Sequence, residues 1–103
     1  MAQELRDVWG NTVTLTHERR RHLGEHPEMR GQEDKLVETL LAPDVVVQSQ
    51  SDETVRLFYR SYTGLAIGDK LLCLVAKYTP DNAFVITGYF TDKVKRGGVI
   101  WKR

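Results

Sequence analysis

Residues 43–62 read PDVVVQSQSDETVRLFYRSY, and the change of hydrophobic period at their start decides the fold. Ahead of Pro43, Leu36, Val37, Leu40 and Leu41 recur at helical spacing, which predicts a helix over residues 32–41 ended by Pro43 and Asp44. From Val45 the period is two. Val45, Val47 and Ser49 share one strand face, and Val55, Leu57, Tyr59 and Ser61 alternate with Arg56, Phe58, Arg60 and Tyr62 in the next strand. Residues 49–53, polar throughout, form the loop between them.

The pattern extends in both directions. Residues 71–78 are nearly all apolar, as a central strand buried on both faces is, and Thr79-Pro80-Asp81-Asn82 turns the chain into a further strand over residues 83–90. Gly97 and Gly98 precede a last short strand at residues 99–101. Toward the N-terminus, Trp9-Gly10-Asn11 reads as a turn and residues 12–15 as a short strand. Thr16 is placed to cap a helix, with Glu18 near its positive end, while Gly24 and Pro27 predict a break near His26. This order predicts an α+β domain, with two N-terminal helices packed on one face of an antiparallel sheet through Leu36, Val37 and Leu40.

The 103 residues suffice for a single core, so one domain over residues 1–103 is expected. Hydrophobic content of 41% beside 28% charged residues is that of a globular chain, and no stretch has linker composition. The apolar run of residues 71–76 is too short to span a bilayer, and residues 1–7 lack a signal-peptide core, so a cytoplasmic protein without membrane contact is expected. The single cysteine, Cys73, lies inside that run and reads as a buried thiol. A net charge of +1 argues against a general nucleic-acid coat, yet after Asp92 only cations follow: Lys93, Lys95, Arg96, Lys102 and Arg103.

Residues 15–29, LTHERRRHLGEHPEM, hold the most chemistry. His22 and His26 fall one helical turn apart beside Arg19, Arg20, Arg21 and Arg30, pairing proton-exchanging imidazoles with phosphate-binding guanidiniums. Two such histidines could share a metal. Glu28 is the sole further ligand nearby and the arginines disfavour a cation, so no metal and no cofactor are expected. Arg60 in mid-strand could clamp a phosphate, and Thr87, Tyr89 and Thr91 form a row of hydroxyls on one strand face. Gly64 and Gly68 lack the context of a phosphate loop, no dinucleotide fingerprint occurs, and residues 49–51 lack a nucleophile elbow.

The order of these motifs resembles a known group. Residues 9–16, the helix with His22-Leu23 that exits through His26-Pro27-Glu28, Pro43-Asp44, Tyr59-Arg60, Lys77-Tyr78, residues 84–89 and the final residues 98–101 look like the phage-associated nuclease domains of the barnase, EndoU, colicin and RelE-like (BECR) ribonucleases. The likeness covers residues 9–101 through motifs of two to four residues each. It implies helices on a four-stranded antiparallel sheet and a metal-independent endoribonuclease. Carried over residue by residue, it implies a site of His22, His26, Glu28, Tyr59, Arg60 and Thr91, with Lys93 or Lys95. The chain departs from the pattern at Gly88, where alanine is expected, and is less basic than most toxins of the group.

Two functions follow as expectations. In the first, His22 or His26 removes a ribose 2′-hydroxyl proton, the oxygen attacks the adjacent phosphorus, and the second group protonates the leaving oxygen. Arg60 with Lys93 or Lys95 steadies the phosphate charge, Thr91 completes the catalytic set, and Tyr59 or Tyr89 stacks on a base beside Glu28. RNA is then the substrate and a protein inhibitor a possible partner. In the second, the chain is a non-catalytic phage or host accessory module whose basic strand edge docks nucleic acid or an acidic protein. Convergence of His22, Arg60 and Thr91 on one cleft separates the two.

Overall fold

The computed structural model describes residues 2–103. Seven strands form one mixed sheet, with a helical layer on one face. The strands are β1 (Gln3–Arg6), β2 (Thr12–Leu15), β3 (Val45–Ser49), β4 (Val55–Leu65), β5 (Gly68–Tyr78), β6 (Ala83–Thr91) and β7 (Gly97–Lys102), in the spatial order β1-β2-β6-β5-β4-β3-β7. Helix α1 (His17–Leu23), a 3₁₀ turn (Pro27–Met29) and helix α2 (Glu33–Leu41) connect β2 to β3.

The antiparallel run from β3 to β6 matches the two-residue period after Pro43. The expected four-stranded antiparallel sheet is corrected to seven strands of mixed direction. Beyond the central run, β2 joins β6 in parallel through Thr14 and Phe84, β1 pairs with β2, and β7 returns to the far edge beside β3. β1 and β2 form a local hairpin, but β2 and β7 also pair with segments distant in sequence, so local periodicity carries no record of those neighbours. In β1 only Leu5 is buried, which is why Gln3–Arg6 shows no strand signature. The central hairpin also runs further than its apolar pattern, because Gly64 (φ 71°) and Gly68 (φ 97°) supply the left-handed conformations its tip requires.

Local chemistry sets the helices. Thr16 caps α1 by accepting the Arg19 N–H, and the chain breaks after Leu23 as Gly24 and Pro27 dictate. Gly31, at φ 73°, turns the chain before α2. Leu36 and Leu40 of α2 are buried, with Val37 packed beside them, so this helix seats as its spacing predicts. α1 lies on β6, and α2 lies on β5, β4 and β1. Together with Leu23, Met29, Phe58, Leu72, Leu74 and Val85 they form the main core. Gly88 of β6 lies beneath both helices. A Cβ there would stand 2.8 Å from Leu36 Cδ2 and 3.5 Å from Leu23 Cδ2, so the alanine of the resembled pattern would push Leu36 aside.

The opposite face carries a smaller cluster of Val47, Leu57, Tyr59 and Cys73, all buried although no helix covers them. Strand order explains this. To pass from β6 to the far edge, residues 92–96 cross β5, β4 and β3, and they do so on this face. Gly97 admits the crossover into β7: a Cβ there would strike the Gln48 carbonyl oxygen and lie 2.5 Å from Val47 Cγ1. Among the described residues no helix is long and apolar enough to cross a membrane.

Candidate functional site

Strand alternation and register divide the expected site residues between the two faces of the sheet. Arg60 shares the helical face with Phe58 and Tyr62; its Nε lies 3.3 Å from Glu38 Oε1 of α2, and its Nη1 donates to the Ala42 carbonyl. Thr91 pairs with Leu71 on the other face, where its hydroxyl accepts the Lys93 N–H at 3.4 Å. His22 is exposed on α1 between Glu18 (4.0 Å) and Glu25 (3.4 Å), and His26 is exposed at the entry to the 3₁₀ turn. The expected convergence of His22, Arg60 and Thr91 on one cleft therefore does not occur. Arg60 already has a carboxylate and a carbonyl, and Thr91 looks the other way.

Glu28 sits apart from both groups. With Pro27, Arg30, Gln32, Ile67 and Phe90 it lines a cavity of about 460 Å³ between the 3₁₀ turn and the β4–β5 hairpin tip. Neither His22 nor His26 lines it. Among the described residues no three His, Cys, Asp or Glu side chains gather as a metal site requires.

The face under the crossover does bring expected residues together. Cross-strand register sets Tyr59, Cys73 and Tyr89 side by side on β4, β5 and β6. The Lys95 main-chain N–H donates to Tyr59 Oη at 3.0 Å, and Lys95 Nζ lies 5.9 Å from the Tyr89 ring centroid. A cavity of about 570 Å³ opens beside this row. Its floor is Val55, Leu57, Val75 and Tyr89; Thr87 and the Ser49–Ser51 loop contribute hydroxyls, and Lys95 and Arg96 stand over it. Among the described residues no carboxylate lines it. The loop is ordered by its own side chains, since the Ser49 and Ser51 hydroxyls lie 3.1 Å apart and the Ser51 N–H donates to Ser49 Oγ at 3.3 Å.

The electrostatics favour neutral groups below and cations above. Burial pushes the Tyr59 phenol up to about 12 against the opposing pull of the Lys95 N–H, and pushes the Cys73 thiol up to about 11. Burial likewise raises Tyr89, whose hydroxyl oxygen is buried beside Cys73 and Tyr59. At neutral pH all three keep their protons, so the row offers hydrogen-bonding and apolar surface but no nucleophile. The arrangement can hold a flat or apolar body against the floor with its anionic part on Lys95 and Arg96.

Sequence reading identified Tyr59, Tyr89, Thr91, Lys93 and Lys95 in this region but passed over Arg96, Leu57 and Val75 as site residues. Leu57 and Val75 are cross-strand partners on β4 and β5, and only the crossing direction of residues 92–96, set by where β7 finds its partner, brings Arg96 over them. The comparisons with protein-family models, curated proteins and solved structures find no match. The resemblance to the BECR ribonucleases rests on the quoted motifs alone.

Proposed function

We propose that this chain is a non-catalytic module that binds single-stranded RNA, one nucleotide of which occupies the cavity beneath the β6–β7 crossover. The observation that carries this reading is the composition of that cavity: an apolar and aromatic floor, hydroxyls at its β3 and β6 ends, two cations above and, among the described residues, no carboxylate. A base lies against Tyr89, Val75 and Leu57, its phosphate meets Lys95 and Arg96, and the Ser49, Ser51 and Thr87 hydroxyls reach sugar and base edges. The volume of about 570 Å³ falls in the range of preformed small-ligand sites.

A transesterase needs an acid, a base and a charge-stabilising group around one phosphate. Here the arginine and the threonine expected in that set occupy opposite faces of the sheet, so binding has the better support. The test uses the full chain with end-labelled single-stranded RNA in EDTA, read by anisotropy and by analysis of the RNA ends. Saturable binding to intact RNA supports the proposal, as does a loss on the order of tenfold in Lys95→Ala/Arg96→Ala together with a weaker salt dependence. Fragments ending in 2′,3′-cyclic phosphate that disappear in His22→Ala would establish the endoribonuclease instead. Absence of both binding and cleavage would reject both readings.

A further inference from the structure

The two edges of the sheet are built differently. At one edge, β1 is four residues long and carries Glu4 and Arg6, the short, charged form that discourages further strand pairing. At the other, β7 reads Gly97-Gly98-Val99-Ile100-Trp101-Lys102, with five uncharged residues before its first charge and no proline. Its one strand neighbour among the described residues is β3, against which the register shifts at Ile100, between the Val47–Val99 and Val46–Trp101 pairs, and the outer side of its backbone has no strand partner among those residues. Val99 is 59% and Ile100 38% exposed, high values for two β-branched residues in mid-strand. Exposed Lys95 and Arg96 precede the strand, and exposed Lys102 ends it.

We propose that β7 is a docking edge for an extended acidic segment of a partner protein, which adds to the sheet as an eighth strand. Main-chain hydrogen bonds to β7 hold the segment, Val99 and Ile100 receive its apolar side chains, and acidic residues at its ends meet Arg96 and Lys102. Charge selects this occupant over a second copy of the chain. Antiparallel pairing of two β7 strands about Val99 and Ile100 would bring Lys102 of each copy toward Arg96 of the other, setting like charges opposite each other. The inference shares Arg96 with the RNA proposal but otherwise uses the outer edge of β7 and Lys102, whereas the cavity lies under the crossover, so Lys102→Glu tests it without touching the cavity.

The probe is a synthetic peptide with alternating valine and threonine at its centre and glutamates at both ends, titrated into the full chain. The expected result is saturable binding with new amide-exchange protection at residues 98–101. Binding is expected to weaken about tenfold when lysines replace the glutamates, and by a similar factor in Lys102→Glu. A peptide with proline at its centre should not bind, because it lacks the donor and the strand geometry. Ile100→Lys, which keeps the backbone but puts a charge on the edge, should bind the peptide more weakly while its thermal unfolding stays near that of the parent chain. Three results would overturn the proposal: no binding of the glutamate peptide, equal binding of the lysine or proline peptide, or protection that appears away from β7. Self-association of the chain through β7 would show a second copy to be the occupant.

Discussion

The main-chain N–H of Lys95 donates to the phenolic oxygen of Tyr59 at 3.0 Å, joining residues 36 apart and fixing the crossover of residues 92–96 to the middle of β4. Tyr59 is fully buried, so its hydroxyl has a fixed position from which to hold an otherwise exposed loop. Tyr59→Phe removes that bond while keeping the buried ring. It should cost about 1 kcal/mol of stability, speed amide exchange at Lys95 and weaken RNA binding, with the sheet retained. Unaltered exchange at Lys95 would show that the crossover is held by other contacts.

Two adjacent glycines should behave very differently. Gly97 has no room for a methyl group against Gln48 and Val47, whereas a Cβ at Gly98 meets nothing within 4 Å. Gly97→Ala is expected to destabilise by about 2 kcal/mol and to loosen β7 from β3, and Gly98→Ala to change stability by less than about 0.5 kcal/mol. Urea denaturation of both variants checks this, and equal effects would contradict the packing described.

Asp7 is buried in the β1–β2 turn, where its carboxylate accepts from the Trp9 and Asn11 N–H groups, the Asn11 side chain and, at 2.7 Å, the Tyr78 hydroxyl. Burial, then the nearby Asp7 carboxylate, raises the Tyr78 phenol so that it remains a donor. Asp7→Ala should cost about 3 kcal/mol, since it leaves several donors without their acceptor, and Tyr78→Phe about 1 kcal/mol. A double-mutant cycle should show coupling between them. Additive losses would mean that the Tyr78 bond contributes nothing to holding the turn.

Acid should weaken the junction at Asp44. Burial alone would raise this carboxyl, but the Ser61 N–H (2.8 Å) and Arg103 (3.1 Å) outweigh it and hold the group below its ordinary value. A pKa lower in the folded than in the unfolded chain gives stability that is fully present above the unfolded value near about 4 and is lost as pH falls through the folded value. Asp44→Asn should therefore be less stable than the parent chain at neutral pH, and the difference should shrink as pH falls below about 4. Denaturation at neutral and acidic pH measures this, and a difference that grows in acid would reverse the sign.

The sequence by itself determined the elements whose signal is local. Period two after Asp44 marked the β3–β6 meander, helical spacing marked Leu36, Val37 and Leu40 as the seat of α2, and Thr16, Gly24 and Pro27 bounded α1. Those features arise from neighbouring side chains choosing a common face, which composition and spacing record. Tertiary structure decided the rest. The parallel joining of β2 to β6, the return of β7 to β3 and the separation of Arg60 from Thr91 depend on which distant backbones pair. Pairing energy comes from hydrogen bonds that any sequence can make, so short strands such as Gln3–Arg6 and Gly97–Lys102 carry little trace of their partners. The cavity under the crossover exists only because residues 92–96 must traverse three strands to reach that edge, and they cross on the face without helices.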